Sequence, residues 1–195
     1  MKREIERLAR ENSGFVTSAE LTKLGLQRRE LTLAVEEGEL TRLDRGLYCT
    51  PMTWEDEYVI AQHRFSRGVF SHDTALYLLG LSDQAPESLT MSFPRGYNPS
   101  AANHAGILTK SSPAQLHDIG ETTVLTPYGN LVACYNAERK LRDMLRGTSS
   151  PDLQLFSPAI RAYLSSHGSS IPMLRSYAGS LGVRRKIEPY LEVLL

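Results

Sequence analysis

The chain has 195 residues, of which 41% are hydrophobic and 23% charged, with a formal net charge of zero. That size suits one ordinary domain or two small ones, and the composition is normal for a soluble globular protein. No apolar run approaches the ~20 residues that a membrane-spanning helix needs, and Met1-Lys2-Arg3-Glu4-Ile5-Glu6 carries acids and no apolar signal core, so a cytoplasmic protein without a membrane partner is expected.

Residues 2–12 read as a helix, with Ile5, Leu8 and Ala9 at helical spacing, stopped by Asn12-Ser13-Gly14. Phe15-Val16 is a short extended step. Thr17-Ser18-Ala19-Glu20 is a capping box, in which a threonine hydroxyl and a glutamate satisfy each other's backbone amides. It opens a two-turn helix that ends at Gly25. A third helix is expected from about Gln27 to Glu37, with Leu31, Ala34 and Val35 inward and Arg29, Thr32, Leu33 and Glu36 outward. Two short helices joined by a tight glycine-containing turn form a helix-turn-helix.

The outward face fits a major groove. Gln27 can fork onto adenine and Arg28 or Arg29 onto guanine, while Thr32 and Leu33 can touch a thymine methyl. Arg28 and Arg29 could equally be surface charges facing Glu36 and Glu37. The next segment favours the first reading. Leu40–Leu43 and Leu47–Thr50 read as strands around Asp44-Arg45-Gly46, whose residues suit a tight turn. A hairpin directly after the third helix makes a winged helix-turn-helix. Arg42 and Arg45 on the wing, and Thr17 and Ser18 at the second helix's start, complete the expected DNA-binding set.

Pro51-Met52-Thr53 is the expected hinge, dividing a DNA-binding domain (1–50) from a second domain (54–195). Helices are expected over Trp54–Phe65, with acids in its first turn, and over 74–79, with Ser71 as N-cap and Gly80 as stop. Val69-Phe70, Leu89–Phe93, Ile107–Lys110 and Thr123–Thr126 read as strands. Asn136–Arg146 reads as a helix with Ala137, Leu141, Met144 and Leu145 inward and Arg139, Lys140, Arg142 and Arg146 outward, broken by Gly147-Thr148-Ser149-Ser150-Pro151. The rest reads as helical, with Ile160, Leu164, Leu174, Tyr177 and Leu181 inward and an interruption at Pro189. The expected fold class is α+β: a winged helix followed by a mixed α/β domain that ends in helices.

Charge is unevenly spread. Between Arg139 and Lys186 the acids are Asp143 and Asp152 alone, against Arg139, Lys140, Arg142, Arg146, Arg161, Arg175, Arg184, Arg185 and Lys186. These nine read either as a basic face for DNA, RNA or an acidic protein, or as a solvated helical surface. The first fifty residues hold nine bases and nine acids. DNA affinity is therefore expected to need the basic C-terminal third or a second bound copy.

These motifs, in this order, resemble the AbiEi antitoxins of bacterial type IV toxin–antitoxin systems, which act in abortive infection by phage. Gly14-Phe15-Val16-Thr17, Gly25-Leu26, Gly38-Glu39-Leu40 and Arg45-Gly46-Leu47-Tyr48 are similar to that family's winged helix. The segments Val69–Leu76, Leu79-Gly80-Leu81 and Ala137–Leu145 are similar to its second domain, with Asn136 where proline is common; in the winged helix, Gln27 stands where a small capping residue is usual. The resemblance implies a repressor of its own operon that binds inverted repeats in double-stranded promoter DNA. It also implies a second domain that antagonises a nucleotidyltransferase toxin (AbiEii) without needing a stable complex. A plain winged-helix regulator with a C-terminal effector or dimerisation domain is the alternative.

Nothing points to catalysis or a cofactor. The toxin's own chemistry would need a Gly-Ser turn followed by paired carboxylates; Gly168-Ser169 is followed by no acid before Glu188. An Asp…Glu-x-Lys nuclease cluster is also missing. His72-Asp73 and His117-Asp118 are adjacent pairs, which on a helix point about 100° apart, and His72 reads as a helix-start or core residue. His63, His104 and His167 lack metal-ligand spacing, and Cys49 and Cys134 read as two reduced thiols.

Overall fold

A computed structural model describes residues 2–146, 152–166, 168–180 and 182–194. The expected break at Gly147–Pro151, and also His167 and Leu181, lie outside the described residues. The chain forms two compact units, residues 1–66 with 126–130, and residues 67–125 with 131–195.

The first unit contains α1 (Arg3–Glu11), β1 (Phe15–Thr17), α2 (Ser18–Lys23), α3 (Arg29–Glu36), β2 (Thr41–Asp44), β3 (Leu47–Cys49) and α4 (Glu57–Arg64). The strands form an antiparallel sheet in the order β1-β3-β2. Ile5, Leu8 and Ala9 of α1 share one core with Val16, Leu21, Leu31, Ala34 and Leu40. Each fully buried aliphatic side chain of this kind contributes about 1.5–3 kcal/mol. The Thr17 capping box forms as the sequence requires: Thr17 accepts from the Glu20 amide, and the Glu20 carboxylate accepts from the Thr17 amide and hydroxyl. Helix α3 begins two residues later than expected, leaving Gln27 outside it and Arg28 as its N-cap.

The division does not fall at Pro51-Met52-Thr53. Helix α4 stays with the first unit because Val59 and Ile60 pack against Phe15, Leu47 and Cys49. Its start is fixed by Asp56, which is fully buried. One carboxylate oxygen accepts from the amides of Tyr58 and Val59. The other accepts from the Thr126 hydroxyl at 2.6 Å and the Asn130 side-chain amide at 2.8 Å.

The second unit holds β4 (Val69–Phe70), α5 (His72–Leu78), β5 (Thr90–Pro94), α6 (Ser100–His104), β6 (Leu108–Ser112), α7 (Ala114–His117), β7 (Glu121–Leu125), β8 (Leu131–Tyr135), α8 (Ala137–Met144), α9 (Leu153–Ser165), α10 (Ile171–Ser180) and α11 (Arg184–Leu194). Its mixed sheet has the order β6-β5-β4-β8-β7, with β4–β8 and β5–β6 parallel and the other pairs antiparallel. Strand β8 and the short helices α6 and α7 go beyond the sequence reading. Leu76, Leu141, Phe156, Ile160, Leu174, Ile187 and Leu191 belong to one core shared by α5 and α8–α11.

Pro189 does not interrupt the last helix, which runs through it. Proline in a helix interior costs about 3 kcal/mol, but here it is exposed while Ile187 and Leu191 are buried beside it, so packing outweighs the missing hydrogen bond. Asp56→Ala removes four hydrogen bonds to a buried carboxylate and is predicted to destabilise the protein by roughly 2–4 kcal/mol; urea denaturation monitored by circular dichroism checks this.

Candidate nucleic-acid interface

The residues of the expected DNA-binding set lie in the first unit: Thr17 and Ser18 where β1 meets α2, Gln27 and Arg28 just before α3, Arg29 and Thr32 on it, and Arg42 and Arg45 on the wing. Strand β3 places them. Its pairing with β1 sets Thr17 opposite Leu47, and the Ser18 amide donates to the Gly46 carbonyl at 2.9 Å, so the start of α2 is fastened to the wing turn. Gly46 suits this contact for two reasons. Its φ of +80° is left-handed, and a Cβ there would lie 2.6 Å from the Ser18 hydroxyl. The Asp44 carboxylate caps the Arg45 amide at 2.7 Å, and His63 Nε2 lies 3.3 Å from the Arg45 carbonyl, which fixes the turn from the α4 side.

Gln27, Arg28, Arg29, Thr32, Arg42 and Arg45 are all exposed. The guanidinium groups of Arg28, Arg29 and Arg45 make no hydrogen bond or ion pair with a described residue. Of the unit's other bases, Lys2 pairs with Glu30 at 2.7 Å, Arg7 with Glu11 at 3.7 Å, Arg10 with Glu6 at 3.3 Å and Arg64 with Asp44 at 3.8 Å, while Arg3 and Lys23 form no ion pair with a described residue. Arg42 donates to the Asp44 carbonyl at 3.3 Å. Arg28 and Arg29 occupy the N-cap and first position of α3, where the helix macrodipole is positive. Cations there are disfavoured by roughly 0.3–1 kcal/mol each, and an anion would remove that cost. Leu33 also projects outward.

Thr17 and Ser18 differ from the rest. The Thr17 hydroxyl donates to Glu20 and accepts from its amide, so it fixes α2 rather than waiting for phosphate. Ser18 is half-buried beneath Gly46. Both are positioning residues for the wing.

The nine C-terminal bases do not make one face. Arg139 is 1% exposed, and Lys140 and Arg142 are each 4% exposed, contrary to their expected outward direction. Helix α8 is packed against α5, α9 and α10, so it has no broad solvent side. The Arg139 guanidinium donates to the carbonyls of Leu116 and Ile119 at 2.6 and 2.8 Å, pairs with Asp143 at 2.9 Å and stacks on Tyr135. Arg142 also pairs with Asp143. Arg175 and Arg184 both reach Glu188, at 3.0 and 3.5 Å. That acid stands two residues beyond the Arg139–Lys186 stretch. Arg146, Arg161 and Arg185 remain exposed, and Lys186 is half-buried.

The other described histidines are separately engaged. His72 is the first residue of α5, in a left-handed conformation with φ of +52°. Its Nδ1 is 3.1 Å from the Ser71 hydroxyl, and burial with nearby Lys140 and Lys110 brings its pKa down to about 4. His104 contacts the Ser100 carbonyl, and His117 the Arg67 carbonyl and the Tyr135 hydroxyl. Cys49 and Cys134 are free and buried, and burial pushes both thiols up, Cys134 to about 12. Among the described residues no group of three or more His, Cys, Asp and Glu is placed to hold a metal ion, and no helix is long and apolar enough to cross a membrane.

An N-terminal helix-turn-helix with a hairpin wing, carrying arginines without a described partner at the head of α3, defines the class: a winged-helix protein in an α+β chain. Comparison with known proteins takes this one step further. Residues 3–51 match the family model described as "Transcriptional regulator, AbiEi antitoxin", the same stretch whose motifs resemble that family's winged helix. The fold is also similar to that in the crystal structure of the RV2827C protein from Mycobacterium tuberculosis, with a TM-score of 0.52 and 17% identity over 91% of this chain and 70% of that one. At that identity the likeness concerns the fold alone. No curated protein sequence matches the chain.

Burial holds the Lys140 ammonium down at a pKa of about 8, while Asp73 and Asp143 pull it the other way, against an ordinary value of 10.5. A folded-state pKa lowered in this way penalises folding fully below about 8, and the penalty fades as pH rises to 10.5. Lys140→Met is predicted to exceed the parent in stability by on the order of 2–3 kcal/mol near neutral pH. The gap should close toward pH 10.5, as urea titrations of both proteins at several pH values check.

Proposed function

We propose that the chain is an AbiEi-type antitoxin that represses its own operon. The carrying observation is the set of unpaired cations Arg28, Arg29 and Arg45, two at the positive end of α3 and one at the wing tip. The family match of residues 3–51 supports the regulator reading. In this reading α3 enters the major groove of promoter DNA. Gln27, Arg28, Arg29 and Thr32 meet base edges, and Arg42 and Arg45 contact the backbone. With so few free cations per copy, two copies on an inverted repeat supply the affinity that one lacks.

The second unit antagonises a nucleotidyltransferase toxin encoded beside it, without a stable complex and without catalysis of its own, in the cytoplasm and as part of phage defence. The Ala137–Leu145 likeness to antitoxin second domains supports this part. The plain-regulator alternative loses ground if the neighbouring gene encodes a Gly-Ser and Asp-x-Asp/Glu nucleotidyltransferase.

Arg28→Ala and Arg29→Ala are each expected to weaken binding to the upstream promoter by ~1–3 kcal/mol and to relax its sequence preference. Arg45→Ala is expected to weaken all sequences alike and lower the salt slope by about 1. Gel shifts at several salt concentrations read both effects. The triple variant Arg28→Ala/Arg29→Ala/Arg45→Ala should lose repression of a promoter reporter yet still rescue growth against the toxin. Loss of rescue in a folded triple variant would put both activities on the winged helix.

A further inference from the structure

We infer that the first unit carries a binding site for a small, neutral, planar aromatic compound. A cleft of about 630 Å³ lies between α1, the turn at Ser13-Gly14, the segment 50–54 and the loop 126–130, all within the first unit. None of the residues assigned to DNA lines it. Its size falls in the range of small-molecule sites, ~300–1,000 Å³.

The walls are built in advance of any ligand. The Gly14 amide donates to the Ala9 carbonyl, the Thr50 amide to Gly14, and the Thr53 amide to Thr50. Asn130 is held by the buried Asp56 carboxylate. Around this rigid frame three large apolar side chains stay in solvent: Met52 is 91% exposed, Trp54 79% and Tyr128 53%. Such residues are ordinary when scattered; gathered on one cleft they mark a binding surface.

The chemistry of the walls selects the class of ligand. Indole and phenol faces stack on flat rings, and a thioether packs well against them. The charges on the α1 side are Glu6 and Arg10, which pair with each other at 3.3 Å, so neither an anion nor a cation is favoured. The hydroxyls of Thr50 and Thr53 lie 2.8 Å apart. When one donates to the other, the second keeps a free O–H, so the pair offers one donor and spare lone pairs to a polar substituent. A neutral ring bearing one hydrogen-bonding group satisfies all of these, whereas a peptide would bring charged or unpaired backbone groups to an apolar wall.

Trp54 is the sole tryptophan, so the site carries its own reporter. 4-Nitroaniline is flat, neutral and hydrogen-bonding, and its absorption overlaps tryptophan emission. The full chain titrated with it should show saturable quenching of Trp54. Met52→Asp and Tyr128→Ala, both at exposed positions, should weaken binding at least about tenfold with an unchanged circular dichroism spectrum. Linear quenching no stronger than that of free N-acetyltryptophanamide would overturn the site, as would wild-type affinity in both variants. Trp54 emission that shifts with protein concentration alone would assign the cleft to a second copy and also overturn it. Promoter binding plays no part in these readouts, so failure here leaves the DNA proposal standing, and the reverse.

Discussion

The antiparallel pairing of β1 with β3 is the constraint on which the winged helix depends. It sets Thr17 against Leu47 and brings the Ser18 amide to the Gly46 carbonyl. The start of α2 and the tip of the wing are thereby joined, although almost thirty residues separate them in the chain. The glycine at the contact has both the left-handed backbone and the missing Cβ that the approach requires. The residues proposed to meet DNA hang from that joint: α3 follows α2 through a short turn, and Arg45 precedes Gly46.

The charge argument becomes sharper when it moves from counts to positions. Bases and acids balance in the first fifty residues, yet they do not cancel in space. Lys2, Arg7 and Arg10 are spent on neighbouring glutamates, while the arginines at the head of α3 and on the wing are not. The opposite holds in the second unit, where an excess of basic residues by count becomes a set of structural contacts. Arg139 serves as a hydrogen-bond donor to the backbone carbonyls of Leu116 and Ile119, and Glu188 answers both Arg175 and Arg184.

The legible parts of the sequence are those governed by local chemistry. The Thr17–Glu20 capping box, the Asp44-Arg45-Gly46 turn and the stop at Gly80 each depend on residues within a few positions. What was not legible depends on partners far along the chain. Helical periodicity assumes one buried face, and α8 is enclosed by three helices, so its arginines pointed the wrong way on paper. Strand β8 lacks clean alternation because Cys134 and Tyr135 are both buried; the turn-forming Pro127-Tyr128-Gly129 before it was its local signal. The unit boundary was missed because Asp56 closes its hydrogen bonds with Thr126 and Asn130, about seventy residues away.

The central claim is that DNA lies against the head of α3 and the wing tip. Amide hydrogen exchange of the full chain with and without its upstream promoter duplex tests this most directly. The account predicts protection concentrated at residues 27–33 and 42–46, with little change in α8–α11. Protection confined to the second unit, with 27–33 and 42–46 exchanging as in the free protein, would contradict it.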